Sequence, residues 1–275
     1  MIDHYDWAGG REAMMRFGPA TGPVVIAVLP LFEEANRTRT FVTGILRRLA
    51  ERGIAGALPD LPGQNESLVA TEHAMLAGWR TALASAVDAA AGERPVHIFS
   101  CRGGALLDHD VKAASRWQFA PAKGEALIRE LFRTSAAAGA RIEIDLNNYN
   151  DEAGAVTIAG NLLSRPLLRD LNAADCVRDG VVRVLRLDTD PAVAHRKVAG
   201  VPLWRQSEPG DDPTLAALIA DDIAEQAHQV GLDETVTSPF AVSSNGRFMG
   251  GKLDDITVIV AEVVVTPPRS TQARL

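Results

Sequence analysis

The fold of this chain is decided by the stretch Pro95-Val-His-Ile-Phe-Ser-Cys101-Arg102-Gly103-Gly104-Ala-Leu-Leu107. An apolar run leads into two glycines and then into small and apolar residues, which predicts a buried strand, a tight turn and the start of a helix. That layout is typical of a nucleophile elbow, whose apex residue is held in a strained turn. The spacing leaves Cys101 and Arg102 as candidates for the apex, and neither is a serine.

The segments around this elbow alternate between strand and helix patterns. Strands are expected at residues 24–29, 54–58, 96–99, 113–120, 141–146, 181–187 and 201–204, and helices at residues 38–52, 71–91, 125–138 and 213–229. Short loops between alternating strands and helices predict an α/β fold with a doubly wound, mostly parallel sheet. In such a sheet ligands collect at the carboxyl ends of the strands, where the elbow lies.

The chain divides by composition into one large domain and a tail. Residues 1–229 carry the alternating pattern, and residues 124–171 within them form an irregular insertion that predicts a lid over the active face. Residues 230–265 are expected to form a small β-rich tail segment, and residues 266–275 a disordered end.

Composition excludes several classes of function. The net charge is −7 and the basic residues are scattered, so no nucleic-acid partner is predicted. Two cysteines without paired spacing indicate a reducing compartment. The sequence contains no Cys/His cluster and no cofactor motif, so neither a metal nor a cofactor is predicted. Every apolar run is far shorter than the ~20 residues of a membrane span. With no signal-peptide pattern at the first residues, we expect a cytoplasmic protein without a membrane span.

One hypothesis makes the elbow catalytic. Cys101 would be the nucleophile, because a helix N-terminus and Arg102 both favour a thiolate. Asp188 follows a predicted strand at the position of the orienting acid. The segment after the last predicted strand, residues 205–213, contains no histidine to complete a triad, and His97 on the elbow strand is expected to be a buried core residue.

The other hypothesis makes the same face a binding site. Arg102 carries a planar fork suited to carboxylate or phosphate. After the first predicted strand comes a loop that could supply further ligand contacts through Glu33, Glu34, Asn36 and Arg37. The backbone near Leu31 would supply the second oxyanion donor. An ion-pair network that only holds the loop in shape is the structural alternative.

These motifs resemble the α/β-hydrolase superfamily over about residues 1–228. More narrowly, Pro30-Leu-Phe-Glu-Glu-Ala-Asn-Arg-Thr-Arg39, Ser100-Cys-Arg-Gly-Gly-Ala-Leu-Leu107 and Leu203-Trp-Arg-Gln-Ser-Glu-Pro-Gly210 resemble the "hydrolase 2" group associated with the exosortase A system. The resemblance implies ester or thioester hydrolysis linked to bacterial exopolysaccharide, and it implies Arg102 as the apex.

A second resemblance covers only the tail. Ser238-Pro-Phe-Ala and Gly250-Gly-Lys-Leu-Asp-Asp-Ile-Thr-Val-Ile-Val260 are similar to the end of metal-dependent PP2C-type phosphatases, in which the residue matching Asp254 helps bind a metal. The other acidic motifs of that family are absent from the sequence, so no phosphatase activity is predicted.

The sequence therefore leaves two functions open. The first is an ester or thioester hydrolase acting on a small molecule, with an incomplete catalytic triad. The second is a catalytically inactive hydrolase-fold protein that binds a polar or anionic ligand, or a protein partner, through the elbow face.

Overall fold

The computed structural model describes residues 1–140 and 154–232, the last five of these as helix backbone alone. The strands within these residues are β1 (Ile2–Trp7), β2 (Gly10–Phe17), β3 (Val24–Val28), β4 (Ala55–Pro59), β5 (Val96–Cys101), β6 (Ser115–Phe119), β7 (Val156–Ile158), β8 (Asn161–Leu163), β9 (Val182–Leu187) and β10 (Arg196–Val198). The α-helices are α1 (Glu33–Glu51), α2 (Leu76–Ala91), α3 (Gly124–Ala137), α4 (Arg165–Ala173) and α5 (Pro213–Leu232).

Eight of the described strands form one sheet in the order β1-β2-β4-β3-β5-β6-β9-β10. In this sheet, β4, β3, β5, β6, β9 and β10 run parallel to one another, whereas β1 pairs with β2 and β2 with β4 in antiparallel fashion. β3 and β5 lie at the centre, so the carboxyl ends of both meet at one edge. The doubly wound, mostly parallel sheet expected from the sequence is therefore confirmed.

Helices cover both faces of the sheet. Along β3, Val24, Ile26 and Val28 pack into the layer that contains α2, α3 and α4. The alternate residues Val25 and Ala27 pack into the layer that contains α1 and α5. Because successive side chains of a strand point to opposite faces, a strand buried on both sides needs the continuous apolar run that the sequence shows here.

Polar contacts fasten α5 to the sheet. Asp222 is buried, accepts hydrogen bonds from Trp117 Nε1 at 3.1 Å and Arg196 Nη1 at 2.8 Å, and forms an ion pair with Arg183 Nη2 at 2.9 Å. Three donors on β6, β9 and β10 therefore converge on one carboxylate of the helix. A buried carboxylate needs partners of this kind to offset the loss of its hydration.

Two expectations about local structure are wrong. The segment of residues 31–39 predicted as a loop contains the first turns of α1, which begins at Glu33. Two glutamates in the first turn stabilise a helix N-terminus, and this outweighs the polar composition that suggested a loop. Residues 201–204 do not form the last core strand: among the described residues β10 is the last strand of the sheet, and Leu203–Arg205 is a 3₁₀ turn. Pro202 has no N–H to donate to a ladder, which disfavours a strand there.

The predicted lid region contains α3, the β7–β8 hairpin and α4 among its described residues. Ile158 and Leu163 of the hairpin are buried in the same core layer as α2. The strand expected near residues 141–146 and the tail beyond residue 232 lie outside the described residues. Among those described, no helix is both long and apolar enough to cross a bilayer.

Candidate functional site

The turn after β5 has the geometry of an elbow with Arg102 at its apex. Cys101 is still extended (φ −109°, ψ 130°), whereas Arg102 has φ 54° and begins a 3₁₀ helix that runs to Leu106. A positive φ is unusual for a residue with a long side chain and is found where the surrounding structure enforces it. The choice between Cys101 and Arg102 is therefore settled by the backbone in favour of Arg102.

Gly104 allows this turn to lie against the neighbouring strand. A Cβ atom at Gly104 would lie 2.5 Å from the carbonyl oxygen of Leu29 and 2.7 Å from that of Val28. At Gly103 the nearest atom would be a side-chain carbon of Leu127, at an ordinary 3.4 Å. The close backbone approach of the elbow to the end of β3 therefore requires glycine at residue 104 only.

Cys101 lies in the core and not at the site. Its side chain is fully buried in the layer that contains α1 and α5. Burial raises the pKa of the thiol, the nearby charge of Glu34 raises it further, and Arg102 only partly opposes this. A nucleophile must be a thiolate and must reach its substrate, so this placement argues against the hypothesis that Cys101 is catalytic.

The guanidinium group of Arg102 is held on three sides. Its Nε and Nη2 donate to the Glu34 carboxylate at 3.2 and 3.1 Å, and its Nη1 donates to the carbonyl of Ala120 at 3.3 Å. The guanidinium carbon lies 4.8 Å from the centre of the Trp204 ring, a cation–π contact. The side chains of Arg102 and Glu34 are 16% and 12% exposed, so the ion pair is largely buried but keeps some contact with solvent.

Glu34 is more basic than an ordinary glutamate. Burial is the largest cause of its raised pKa, and the negative charge of Glu130 adds to it. Arg102 and, more weakly, Arg37 oppose the shift. Because desolvation outweighs the ion pair, the carboxylate of Glu34 depends on Arg102 for its charged state.

The backbone near Leu31, predicted to supply the second oxyanion donor, has an acceptor within the chain. Phe32, in the loop between β3 and α1, has φ 60°, and its N–H donates to Gln64 Oε1 at 3.2 Å. The predicted donor is therefore already hydrogen-bonded to a side chain of the same chain. An adjoining cavity of ≈10 Å³, lined in part by Leu31 and Gln64, has room for about one water.

The other residues predicted after the first strand have separate partners. Glu33 accepts hydrogen bonds from Asn161 Nδ2 of the β7–β8 hairpin at 3.1 and 3.3 Å. Asn36 is exposed on α1. Arg37 donates to the carbonyl of Trp204 at 3.0 Å and so fixes the segment behind Arg102. The loop predicted to bind a ligand through these four polar residues is thus the start of α1, and of the four only Glu34 is hydrogen-bonded to Arg102.

The remaining triad positions are not assembled among the described residues. Asp188 follows β9 and is exposed, and in the described part of the chain its carboxylate makes no hydrogen bond or ion pair. Its N–H donates to the carbonyl of Val198 at 2.9 Å. The segment after β10 places Trp204 beside Arg102, where the sequence already showed no histidine.

His97 of β5 and His195, which precedes β10, are hydrogen-bonded to neighbouring strands of the sheet. His97 is fully buried, and its Nδ1 is 2.7 Å from Ser115 Oγ. Burial lowers its pKa to about 4, so the ring is neutral at physiological pH. His195 Nδ1 accepts the N–H of Val184 within β9. The expectation that His97 is a core residue is confirmed.

Sequence reasoning missed Gln64 and the role of Trp204. Trp204 lies in a motif that carried the family resemblance, yet nothing in its neighbours indicates a contact with the elbow. Gln64 lies in a loop of turn-forming residues, where an amide side chain gives no signal of its own. Asp254 and the rest of the PP2C-like tail lie outside the described residues.

Comparison with known proteins identifies the fold. No protein-family model matches the chain, and no curated protein matches it. The structure of Est1E from Butyrivibrio proteoclasticus with ferulic acid bound is 18% identical, with a TM-score of 0.54, and the match covers 82% of this chain and 98% of that one. Alpha/beta hydrolase domain-containing protein 10 from mouse is 13% identical, with a TM-score of 0.52 and coverage of 82% and 99%. The chain therefore has the α/β-hydrolase fold predicted from its sequence.

Proposed function

We propose that this chain is an α/β-hydrolase-fold protein that does not perform triad hydrolysis and that binds a small anionic ligand through Arg102. The observation that carries the proposal is the guanidinium at the elbow apex, in the place that a nucleophile occupies in hydrolases of this fold. Arginine stays protonated at physiological pH and cannot attack a carbonyl.

The surroundings of Arg102 suit binding better than reaction. Trp204 holds the guanidinium flat, and Ala120 accepts from one of its nitrogens, so the fork is fixed before any ligand arrives. A group held in its binding geometry loses little conformational entropy on association. The fork lies at the carboxyl edge of a parallel sheet, and its planar pair of donors matches a carboxylate or a phosphate.

An ester or thioester hydrolase is the second candidate. It is favoured by the strained elbow and by the close packing of Gly104, both of which a hydrolase would use to expose an apex residue. Its nucleophile would have to be Cys101 and its acid Asp188, and the burial of the first and the exposure of the second weigh against this.

The cellular context is proposed from sequence motifs alone. The resemblance of the Pro30–Arg39, elbow and Leu203–Gly210 motifs to the exosortase-associated "hydrolase 2" group supports a role beside bacterial exopolysaccharide production. A cytoplasmic location and an additional protein partner are part of the same proposal.

A paired assay separates the two candidates. Wild type, Cys101→Ala and Arg102→Leu are tested for turnover of p-nitrophenyl esters and acyl thioesters of several chain lengths, and for binding of benzoate by calorimetry. We expect no turnover by any of them, benzoate binding by wild type and Cys101→Ala, and no binding by Arg102→Leu. Benzamide, the uncharged match of benzoate, should not bind.

The control variant is Arg129→Leu, which removes an exposed arginine of α3 and should bind benzoate as wild type does. Circular dichroism verifies that each variant is folded. If wild type turned over an ester or thioester and Cys101→Ala did not, the binding function would be wrong and the hydrolase would be supported.

A further inference from the structure

The edge of Arg102 that would receive an anion is already occupied. Nε and Nη2 are the two parallel donors of a guanidinium fork, and both point to the carboxylate of Glu34. Nη1 is directed to the carbonyl of Ala120, and Trp204 covers a face of the group. An external carboxylate can take the bidentate position only by displacing the internal one.

We propose that Glu34 is an internal competitor for Arg102, so that the anion binds together with a proton that neutralises Glu34. The inference rests on the proposed function, since it concerns the anion bound at the same arginine. The exchange conserves charge: the Arg102–Glu34 pair, an anion and a proton become an Arg102–anion pair and a neutral glutamic acid.

The need for the proton follows from the surroundings of Glu34. Arg102 faces it from the elbow, Glu130 from α3, Arg37 from its own helix and the Cys101 thiol from the end of β5. If the anion took Arg102 while Glu34 stayed charged, a shielded carboxylate would lose its main partner and would face both the anion and Glu130. The N-terminus of α1 favours the charged form, but it does not replace a bidentate arginine.

Protonation removes that penalty. A neutral carboxyl group tolerates burial far better than a carboxylate, and the raised pKa of Glu34 shows that burial already disfavours its charge in the paired state. Displacement from Arg102 raises this pKa further. By linkage, anion binding favours proton uptake and proton uptake favours anion binding by the same factor.

The pH dependence has a defined sign and window. Between the pKa of Glu34 in the free protein and its higher pKa in the complex, uptake of one proton changes the affinity by about tenfold per pH unit. The affinity for benzoate therefore rises as pH falls through this window, and it levels off below the pKa of the free protein.

Calorimetry with benzoate between pH 5.5 and 8 tests the inference. For wild type we expect the dissociation constant to increase by up to about tenfold per pH unit, and titrations in buffers of different ionisation enthalpy should show uptake of about one proton. Glu34→Gln keeps a similar shape without the charge. It should bind with no pH dependence and at least about tenfold more tightly than wild type at pH 8.

The matched control is Glu33→Gln, which neutralises the adjacent glutamate that contacts Asn161 instead of Arg102. This variant should keep the pH dependence of wild type. If Glu34→Gln does not fold, the number of protons taken up when wild type binds benzoate still tests the inference.

The outcomes separate the inference from the function on which it rests. Benzoate binding by wild type without pH dependence and without proton uptake overturns the internal competitor and leaves the binding function standing. If the affinity of Glu34→Gln for benzoate depends on pH as that of wild type does, the internal competitor is also overturned. No benzoate binding by wild type or Glu34→Gln at any pH overturns both.

Discussion

The two ends of β5 carry buried polar groups that differ in their access to solvent. Near the amino end, His97 is fully buried and bonded to Ser115. At the carboxyl end, Arg102 and Glu34 form an ion pair that keeps some contact with solvent. Burial drives both titrating groups towards neutrality, lowering the pKa of His97 and raising that of Glu34. Only the second can couple its proton to a ligand, because only the second is reached from outside.

The amino end is also tied to the helix layer. The Trp117 ring packs edge-on against His97 with ring centres 6.0 Å apart, and its Nε1 donates to Asp222 of α5. The carboxyl end contacts α1 through the Arg102–Glu34 pair, and it differs from the amino end in its backbone, which is strained at Phe32, Arg102 and Ala120. Strained residues of this kind are typical of functional sites. At the amino end only Nδ1 of His97 is hydrogen-bonded, and its buried Nε2 has no partner among the described residues, which is consistent with a neutral ring.

The largest expected effect is at the amino end and depends on pH. Unfolded His97 takes up a proton near pH 6.5, but folded His97 resists protonation down to about pH 4. Between these values the unfolded state binds more protons, so the free energy of unfolding decreases as pH falls, by about 3 kcal/mol over the window. Denaturant titrations of wild type and His97→Gln at pH 4 to 7 should show this contribution only in wild type.

The control for that experiment is His73→Gln, which removes an exposed histidine and should follow the wild-type curve. A His97→Gln curve parallel to that of wild type would mean that His97 has the same pKa in the folded and unfolded states. The contrast between the sealed end and the accessible end of β5 would then fail.

The next effect sharpens the description of the carboxyl end. Gly104→Ala places a methyl group against the backbone oxygens of Val28 and Leu29, which cannot move aside as a side chain can. We expect a loss of about 2–3 kcal/mol in the free energy of unfolding, measured by urea denaturation.

Gly103→Ala is the matched variant, because its methyl group would meet side-chain atoms at ordinary distances. It should cost less than about 1 kcal/mol. Equal losses at the two glycines would contradict the elbow geometry.

A smaller effect tests the bracing of the amino end. Asp222→Ala leaves the buried N–H of Trp117 without its acceptor, whereas Arg183 and Arg196 are about 40% and 39% exposed and can turn to water. We expect a loss of about 2 kcal/mol in the free energy of unfolding.

The neighbouring Asp221 provides the comparison, since it is exposed and pairs with Arg52 at the surface of α5. Asp221→Ala should change the free energy of unfolding by less than about 1 kcal/mol. If Asp221→Ala were the more damaging, α5 would not be held through Asp222.

The sequence predicts the central sheet well and its edges poorly. The strands β3, β4, β5, β6 and β9 lie close to the expected positions. The signal is clearest for β3, which is buried on both faces and apolar at every residue. The β1–β2 hairpin was missed, since its burial is partial and its polar and apolar residues are mixed. The error at residues 201–204 arose because a short apolar run fits a buried turn as well as a strand.

The position of the elbow turn along the chain follows from the sequence, but the contacts of its apex residue do not. The elbow motif predicts a strained turn, and the backbone confirms this. Whether Glu34 or Glu33 would pair with Arg102 depends on the direction each takes from the first turn of α1, which itself had been predicted as a loop. Adjacent residues of a helix point about 100° apart, so one glutamate meets the elbow and the other meets the β7–β8 hairpin.

By itself, the sequence determined the fold class and the absence of a serine at the elbow, because apolar periodicity and residue identity are local properties. Only the tertiary structure decided that Arg102 is the apex, that Cys101 is buried, and that Glu34, Trp204 and Gln64 occupy the positions around it. Those contacts join residues far apart in the chain, and they depend on how the ends of β3, β5 and β10 meet at one edge of the sheet. Packing sets them, and the residue pattern of any single segment does not contain them.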